Sequence, residues 1–179
     1  MSYRQTTVSG FPAVALRSAE VEVVVVPAIG MKLTHLRRLR GREWLWRNEQ
    51  IPLALPRPGA SYIEPADSGG WDDCFPTVGP SPLPGAPAGA PPLPDHGELW
   101  SADWTSSVAE HAEGTTLTSV ARGVRLRYEF HRAVTLRRTG RSSGCTTGCG
   151  TPVGRRFPGS GRRTRCSTCS RAAPSACPE

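Results

Sequence analysis

Along the first 136 residues, apolar side chains recur in short blocks or at every second position, and seldom at the three-to-four spacing of a helix face. Residues 13–16 (Ala-Val-Ala-Leu) and 20–26 (Glu-Val-Glu-Val-Val-Val-Val) are short and valine-rich, with Arg17-Ser18 between them, and predict a strand pair joined by a turn. Pro27 and Gly30 break the chain, and extended character resumes over residues 31–39, where Met31, Leu33 and His35 alternate with Lys32 and Thr34. Arg40-Gly41-Arg42 is a turn signal before Glu43-Trp44-Leu45-Trp46, a further predicted strand. Two more are expected at about residues 104–108 and 115–120. The most regular alternation lies at residues 124–131. There Val124, Leu126, Tyr128 and Phe130 share one face and Arg125, Arg127, Glu129 and His131 the other, as in a strand buried on one side. Glu113-Gly114 and Arg122-Gly123 separate it from its neighbours as turns. Many short strands with frequent turns predict an all-β chain folded as an antiparallel β-sandwich.

The alternation stops at Leu136: none of the last 43 residues is Leu, Ile, Met, Trp or Tyr. Charge divides at the same point. Residues 1–136 hold 13 Lys/Arg against 14 Asp/Glu, whereas residues 137–179 hold nine Arg and one Glu, so the net charge of +7 belongs to the tail. Five of the six cysteines, Cys145, Cys149, Cys166, Cys169 and Cys177, lie there too, leaving Cys74 as a small buried residue beside Trp71 and Phe75. Two regions are therefore expected: residues 1–136, long enough for a sandwich with a core, and a basic tail, 137–179, too poor in apolar side chains to offset its chain entropy and hence disordered. The tail admits a zinc ribbon on the Cys145/Cys149 and Cys166/Cys169 pairs, and a basic segment that meets nucleic-acid phosphates. Neither fits well. The first cysteine pair has three intervening residues, there is little to pack around a metal, and aromatic interleaving is confined to Phe157. A shifted reading frame fits better: cysteine codons begin TG, and re-read one base early they become codons for Leu, Met or Val. On that account the chain from about Arg137 onward is not the sequence its fold was selected for. No metal or cofactor and no nucleic-acid partner is therefore expected. The polar start, Met1-Ser2-Tyr3-Arg4, lacks the apolar core of a signal peptide, and the longest apolar stretch, residues 23–29, is too short to span a bilayer. A soluble, cytoplasmic protein without a membrane partner is expected.

Candidate chemistry concentrates between residues 69 and 104. Gly69-Gly70-Trp71-Asp72-Asp73-Cys74-Phe75-Pro76-Thr77-Val78 and Pro94-Asp95-His96-Gly97-Glu98-Leu99-Trp100 flank a Pro/Gly/Ala run, residues 79–92, that excludes regular structure. Acids, aromatics and one histidine in this pattern suit the wall of a sugar site. An imidazole exchanges protons near neutrality, carboxylates orient it and accept hydroxyl protons, and flat rings meet the C–H faces of a pyranose. His96 is the candidate catalytic residue, and Asp72, Asp73, Asp95, Glu98 and Trp100 are candidate substrate contacts. The plainer alternative is that His96 and the aspartates cap turns and the tryptophans are core. His35, His111 and His131 lack ligand spacing and are expected to be structural or exposed.

Residues 23–33 and 41–46, followed by the two motifs just quoted, resemble in their order the aldose 1-epimerase (galactose mutarotase-like) family, in a divergent bacterial branch and over residues 10–136. The resemblance implies a mutarotase-like supersandwich of which only the first part is present. It also implies interconversion of the anomers of a free aldose through acid–base ring opening. His96 matches the family's first histidine, which contacts substrate and stabilises charge at the ring or anomeric oxygen. The family's second histidine and its glutamate base lie further along and have no counterpart here, so an incomplete, inactive site is implied. A carbohydrate-binding protein without catalysis is the alternative on the same fold.

Overall fold

The computed structural model describes residues 2–63, 66–138 and 144–150, the last segment by its backbone alone. Two four-stranded antiparallel meanders account for its regular structure. The first is β1 (Ser2–Val8), β2 (Phe11–Arg17), β3 (Val21–Val26) and β4 (Lys32–Arg38); the second is β5 (Trp104–His111), β6 (Gly114–Arg122), β7 (Glu129–Arg137) and β8 (Gly144–Gly150). A single 3-10 turn, Leu99–Ser101, is the only helical element among the described residues. The expected all-β sandwich is the architecture found.

The two sheets meet through one apolar layer. Val14, Leu16, Val23, Val25 and Leu33 of the first sheet, with Met31, join Leu117, Val134 and Leu136 of the second. The uninterrupted valines of β3 have a direct cause: Val23 and Val25 enter this layer, while Val24 and Val26 pack on the opposite face with Val8, Ala13, Ala15 and Ile29. A strand buried on both faces needs no polar alternation. The β2–β3 turn is held by Ser18, whose hydroxyl accepts from the backbone N–H of Val21 at 2.9 Å. Glu22, also buried, pairs across the register with Arg37 of β4 at 2.5 Å.

Three strand expectations change. β1 forms from the polar run Ser2–Val8 as an edge strand, exposed along most of its length. Residues 43–46 make only bridge contacts to β4, and Trp44 and Trp46 face outward. The strand expected at 124–131 is β7, displaced to Glu129–Arg137. The preceding segment is drawn out of the sheet by Glu98, whose carboxylate accepts from the N–H groups of Val124 (3.3 Å) and Arg125 (2.9 Å), leaving Val124 79% exposed. The alternation nevertheless carries on into β7, where Phe130, Arg132, Val134 and Leu136 are all buried.

The expected boundary at residue 136 falls inside the second sheet. β7 ends at Arg137, and β8 pairs with it in a register that sets Cys145 opposite Val134 and Cys149 opposite Phe130. The zinc-ribbon, nucleic-acid and shifted-frame expectations fall mainly on residues 151–179, outside the described residues.

Candidate functional site

Backbone pairing brings the two motifs together on the flank of β4. Leu33 and Trp71 exchange N–H···O bonds of 3.0 and 2.9 Å, laying the Gly69–Trp71 segment along the strand, and the Gly70 N–H donates to Trp46 at 2.7 Å. The second motif docks on the first: the Glu98 N–H donates to Phe75 at 2.8 Å, the His96 N–H to Val78 at 3.0 Å, and the Thr77 hydroxyl to Pro94 at 2.7 Å. Gly97 makes this approach possible. Its φ is +67°, and a Cβ there would lie 2.0 Å from the Phe75 carbonyl oxygen. The Pro/Gly/Ala loop between the motifs is closed at its neck by reciprocal bonds between Ser81 and Leu93. Next to this neck Arg125 donates to the Pro91 and Pro92 carbonyls of the returning limb.

Beside this junction lies a pocket of about 140 Å³, lined by the polar side chains of Lys32, Tyr62, Asp72 and Trp100 and by apolar ones that include Ile29, Pro52, Leu55 and Pro56. It is smaller than the roughly 300–1,000 Å³ of sites for drug-sized ligands. Two donors converge on one oxygen. Asp72 Oδ2 accepts from Lys32 Nζ at 2.5 Å and from the Tyr62 hydroxyl at 2.6 Å, and Lys32 Nζ also donates to the Gly69 carbonyl at 2.8 Å. Lys32 and Asp72 are only 2% and 8% exposed at their side chains. Burial, reinforced by the Asp72 charge and hydrogen bond, pushes the Tyr62 phenol far above the ordinary tyrosine range, so it stays a donor. Asp72 Oδ1 and Trp100 Nε1, by contrast, are buried with no hydrogen-bond partner in the protein. Trp100 is fixed from behind by Gly30, where a Cβ would come within 2.2 Å of the Trp100 carbonyl oxygen.

The candidate residues separate around this pocket. Asp72 and Trp100 line it. His96 does not. It stacks on Tyr62, which does line the pocket, at 4.1 Å between ring centroids and 16° between planes. Its Nδ1, 3.8 Å from Asp95 Oδ2, has no hydrogen-bond partner. Asp95 Oδ2 also accepts from the Tyr62 N–H at 3.3 Å, so it ties the Tyr62 loop to the His96 motif. Asp73 turns away into the sandwich, where it meets Arg132 of β7 at 2.5 Å. Burial raises its carboxyl above the usual range, and the Arg132 guanidinium pulls the other way. Glu98 is buried and engaged with the 124–128 segment.

Cys74, expected to be buried, is exposed: its thiol donates to Thr77, and partial burial with the charges of Asp95 and Asp72 raises its pKa. His131 pairs with Glu129 at 2.8 Å, and His35, held below its ordinary value chiefly by burial, contacts Thr34; neither lines the pocket.

Two site residues, Lys32 and Tyr62, were not candidates from the sequence. Lys32 lay in an alternating pattern that assigned it to an outer face, and Tyr62 stands in a loop with no motif around it. The lining thus combines a buried Lys32–Asp72–Tyr62 cluster, in which the phenol proton is already given to Asp72, with an indole and an apolar surface. Among the described residues no cluster of three or more His, Cys, Asp or Glu side chains is placed to hold a metal ion. No helix of the described residues is long and apolar enough to cross a membrane. Comparison with models of known families, with curated proteins and with solved structures gives no match for this chain.

Proposed function

We propose that the sandwich handles a free aldose, as an aldose 1-epimerase-like protein whose sugar site is the pocket beside the Asp72 and His96 motifs. One observation supports it: the two motifs that resemble that family, separated by residues 79–93, pack on each other and supply Asp72 and Trp100 to one small pocket with a largely apolar lining. In the chemistry the resemblance implies, a base takes the anomeric hydroxyl proton while an acid protonates the ring oxygen. The ring opens, the C1–C2 bond turns, and the steps reverse on the other face of the carbonyl. General acid–base catalysis of this kind contributes roughly a hundred- to ten-thousand-fold. His96, which stacks on Tyr62 outside the pocket lining, is the one residue the resemblance assigns to this chemistry; the second histidine and the glutamate base have no counterpart, so the proposal is of a catalytically incomplete site.

Fresh α-glucose or α-galactose followed by polarimetry tests it. Faster approach to anomeric equilibrium that is lost in His96→Ala supports the activity and the role; acceleration that survives the substitution removes His96 from the chemistry.

A second reading, sugar binding without isomerisation, is favoured by a separate observation. Among the described residues no histidine lines the pocket, and Asp73 and Glu98 are engaged inside the fold. Saturation-transfer NMR that detects sugar binding with no anomer exchange selects it.

A further inference from the structure

We propose that residues 54–61 form a lid over the pocket, swinging on two anchored ends, Leu53 and Tyr62, to admit a ligand and close on it. This inference rests on the pocket being a ligand site, as in the sugar-binding reading above, and adds how the site opens and what closes it. Five of the thirteen residues that line the pocket, Ala54, Leu55, Pro56, Arg57 and Ala60, come from this one segment. At about 140 Å³ the pocket is small beside the roughly 300–1,000 Å³ of most small-molecule sites, so the part of its lining that can give way decides what enters.

The two sides of the pocket are held very differently. On the framework side, Lys32 and the Tyr62 hydroxyl donate to Asp72 at 2.5 and 2.6 Å, and Lys32 also donates to the Gly69 carbonyl at 2.8 Å. The lid has firm ends. Leu53 packs against the apolar cluster that holds Val8, Ala13 and Val24, while the Tyr62 N–H donates to Asp95 at 3.3 Å and its ring stacks on His96. Between those ends nothing ties it down. Among the described residues, the one hydrogen bond of residues 54–61 is internal, from the Ala60 N–H to the Arg57 carbonyl at 3.0 Å, and none of their side chains belongs to the apolar core. A segment with few buried contacts and no hydrogen bonds to its surroundings opens at low free-energy cost, and binding lids are drawn from such segments.

The segment is stiff within itself, so it moves as a flap and not as a loose coil. Pro56 and Pro58 have their φ angles fixed by the ring. Pro58 and Gly59 occupy the centre of a turn closed by the Arg57–Ala60 bond, with Gly59 at φ +75°, as a type II turn requires. Rotation is therefore concentrated at the two ends, the pattern of a hinged closure. The surface that the flap brings is mainly apolar, from Ala54, Leu55, Pro56 and Ala60. Leu55 is 64% exposed although it lines the pocket, so much of its side chain faces water here. The C–H face of a ligand covers it, and the apolar area taken from water is the differential interaction that favours the closed lid.

The test follows the lid directly in the full, unmodified chain. Methyl relaxation-dispersion NMR compares Ala54, Leu55 and Ala60 of the lid with Ala13 and Ala15, buried in the cluster that Leu53 packs against. Exchange on the μs–ms scale is expected at the lid methyls and not at Ala13 or Ala15. Saturating D-glucose, D-galactose or 1,5-anhydro-D-glucitol, whichever binds by saturation transfer, should quench that exchange. Leu55→Ala, at an exposed position, should keep the unfolding midpoint and release the sugar about two- to ten-fold faster. Absence of exchange at the lid, exchange shared by Ala13 and Ala15, or exchange that a bound sugar leaves unchanged overturns the inference, and the sugar-binding reading then stands on the binding itself. A release rate unchanged in Leu55→Ala also overturns it. Exchange confined to the lid, with no binding of any of the three compounds, supports the lid and removes the sugar reading.

Discussion

Asp72 and Asp73 are adjacent in the chain, and each closes a buried ion pair, but the pairs belong to different regions; each leaves one buried atom without a protein partner, Asp72 Oδ1 in one and Arg132 Nε in the other. The Asp73–Arg132 pair bridges the interior of the sandwich. Arg132, 1% exposed, also donates to the Met31 carbonyl and lies 5.2 Å from the Trp104 ring centroid. It ties β7 to the β3–β4 connection. The Asp72–Lys32 pair forms the wall of a pocket and leaves one carboxylate oxygen unused. The comparison separates two uses of buried charge. Where the pair lies among packed strands it fastens elements together; where it borders a cavity it shapes the lining of that cavity.

Breaking the interior pair should have the largest effect. Arg132→Ala leaves the buried Asp73 carboxyl without its partner in the sandwich and is expected to cost about 3–5 kcal/mol in denaturant unfolding. The double variant Asp73→Leu/Arg132→Met should recover most of that loss, since well-packed apolar replacements of buried pairs are often neutral. Lys32→Met should cost about 3 kcal/mol for the same reason. Here the two regions part: Lys32→Met/Asp72→Leu is expected to recover stability but to lose sugar binding in saturation-transfer NMR, whereas the interior double variant keeps it. Tyr62→Phe removes one hydrogen bond to a charged acceptor and should cost about 1.5–3 kcal/mol.

The same phenol gives a pH dependence. With its folded-state pKa raised, Tyr62 contributes stability that is complete below its ordinary value of about 10 and is lost as pH rises above it, because the unfolded chain ionises first. Unfolding free energy measured across the alkaline range should fall more steeply for the wild type than for Tyr62→Phe. The smallest effect is expected at Cys74, whose exposed thiol makes one local contact: Cys74→Ser should change stability by no more than about 0.5 kcal/mol.

Much of the sandwich was legible because burial is periodic in strands. The valines of β3 announce a strand covered on both faces, and the turn at Ser18 is where the sequence places it. β1 was not legible: an edge strand exposed on both faces carries no apolar signal, and Ser2–Val8 reads as polar chain. The alternation at 124–131 had the correct face but the wrong span, since a carboxylate 26 residues away captures the backbone at Val124. Lys32 was misplaced by the same logic that served β3. At the start of β4, Met31, Lys32, Leu33 and Thr34 are all buried, so alternation there does not separate core from solvent. Of the site, the two motifs and their convergence were legible; the opposite courses of Asp72 and Asp73 were not, because neighbouring residues in an extended chain face opposite ways and sequence does not say which side holds the pocket.

The closed neck of the 79–92 loop has a consequence for how this surface can change. With Ser81 and Leu93 bonded to each other, the geometry of the two motifs is fixed before the chain departs and after it returns. The tip carries Gly85 and Gly89, around which a side chain would meet nothing within 4 Å. Length and composition of that tip are therefore uncoupled from the wall beneath it. It is a natural insertion point, where an affinity tag or a fluorophore-bearing peptide could be spliced in as a reporter without displacing the groups it reports on.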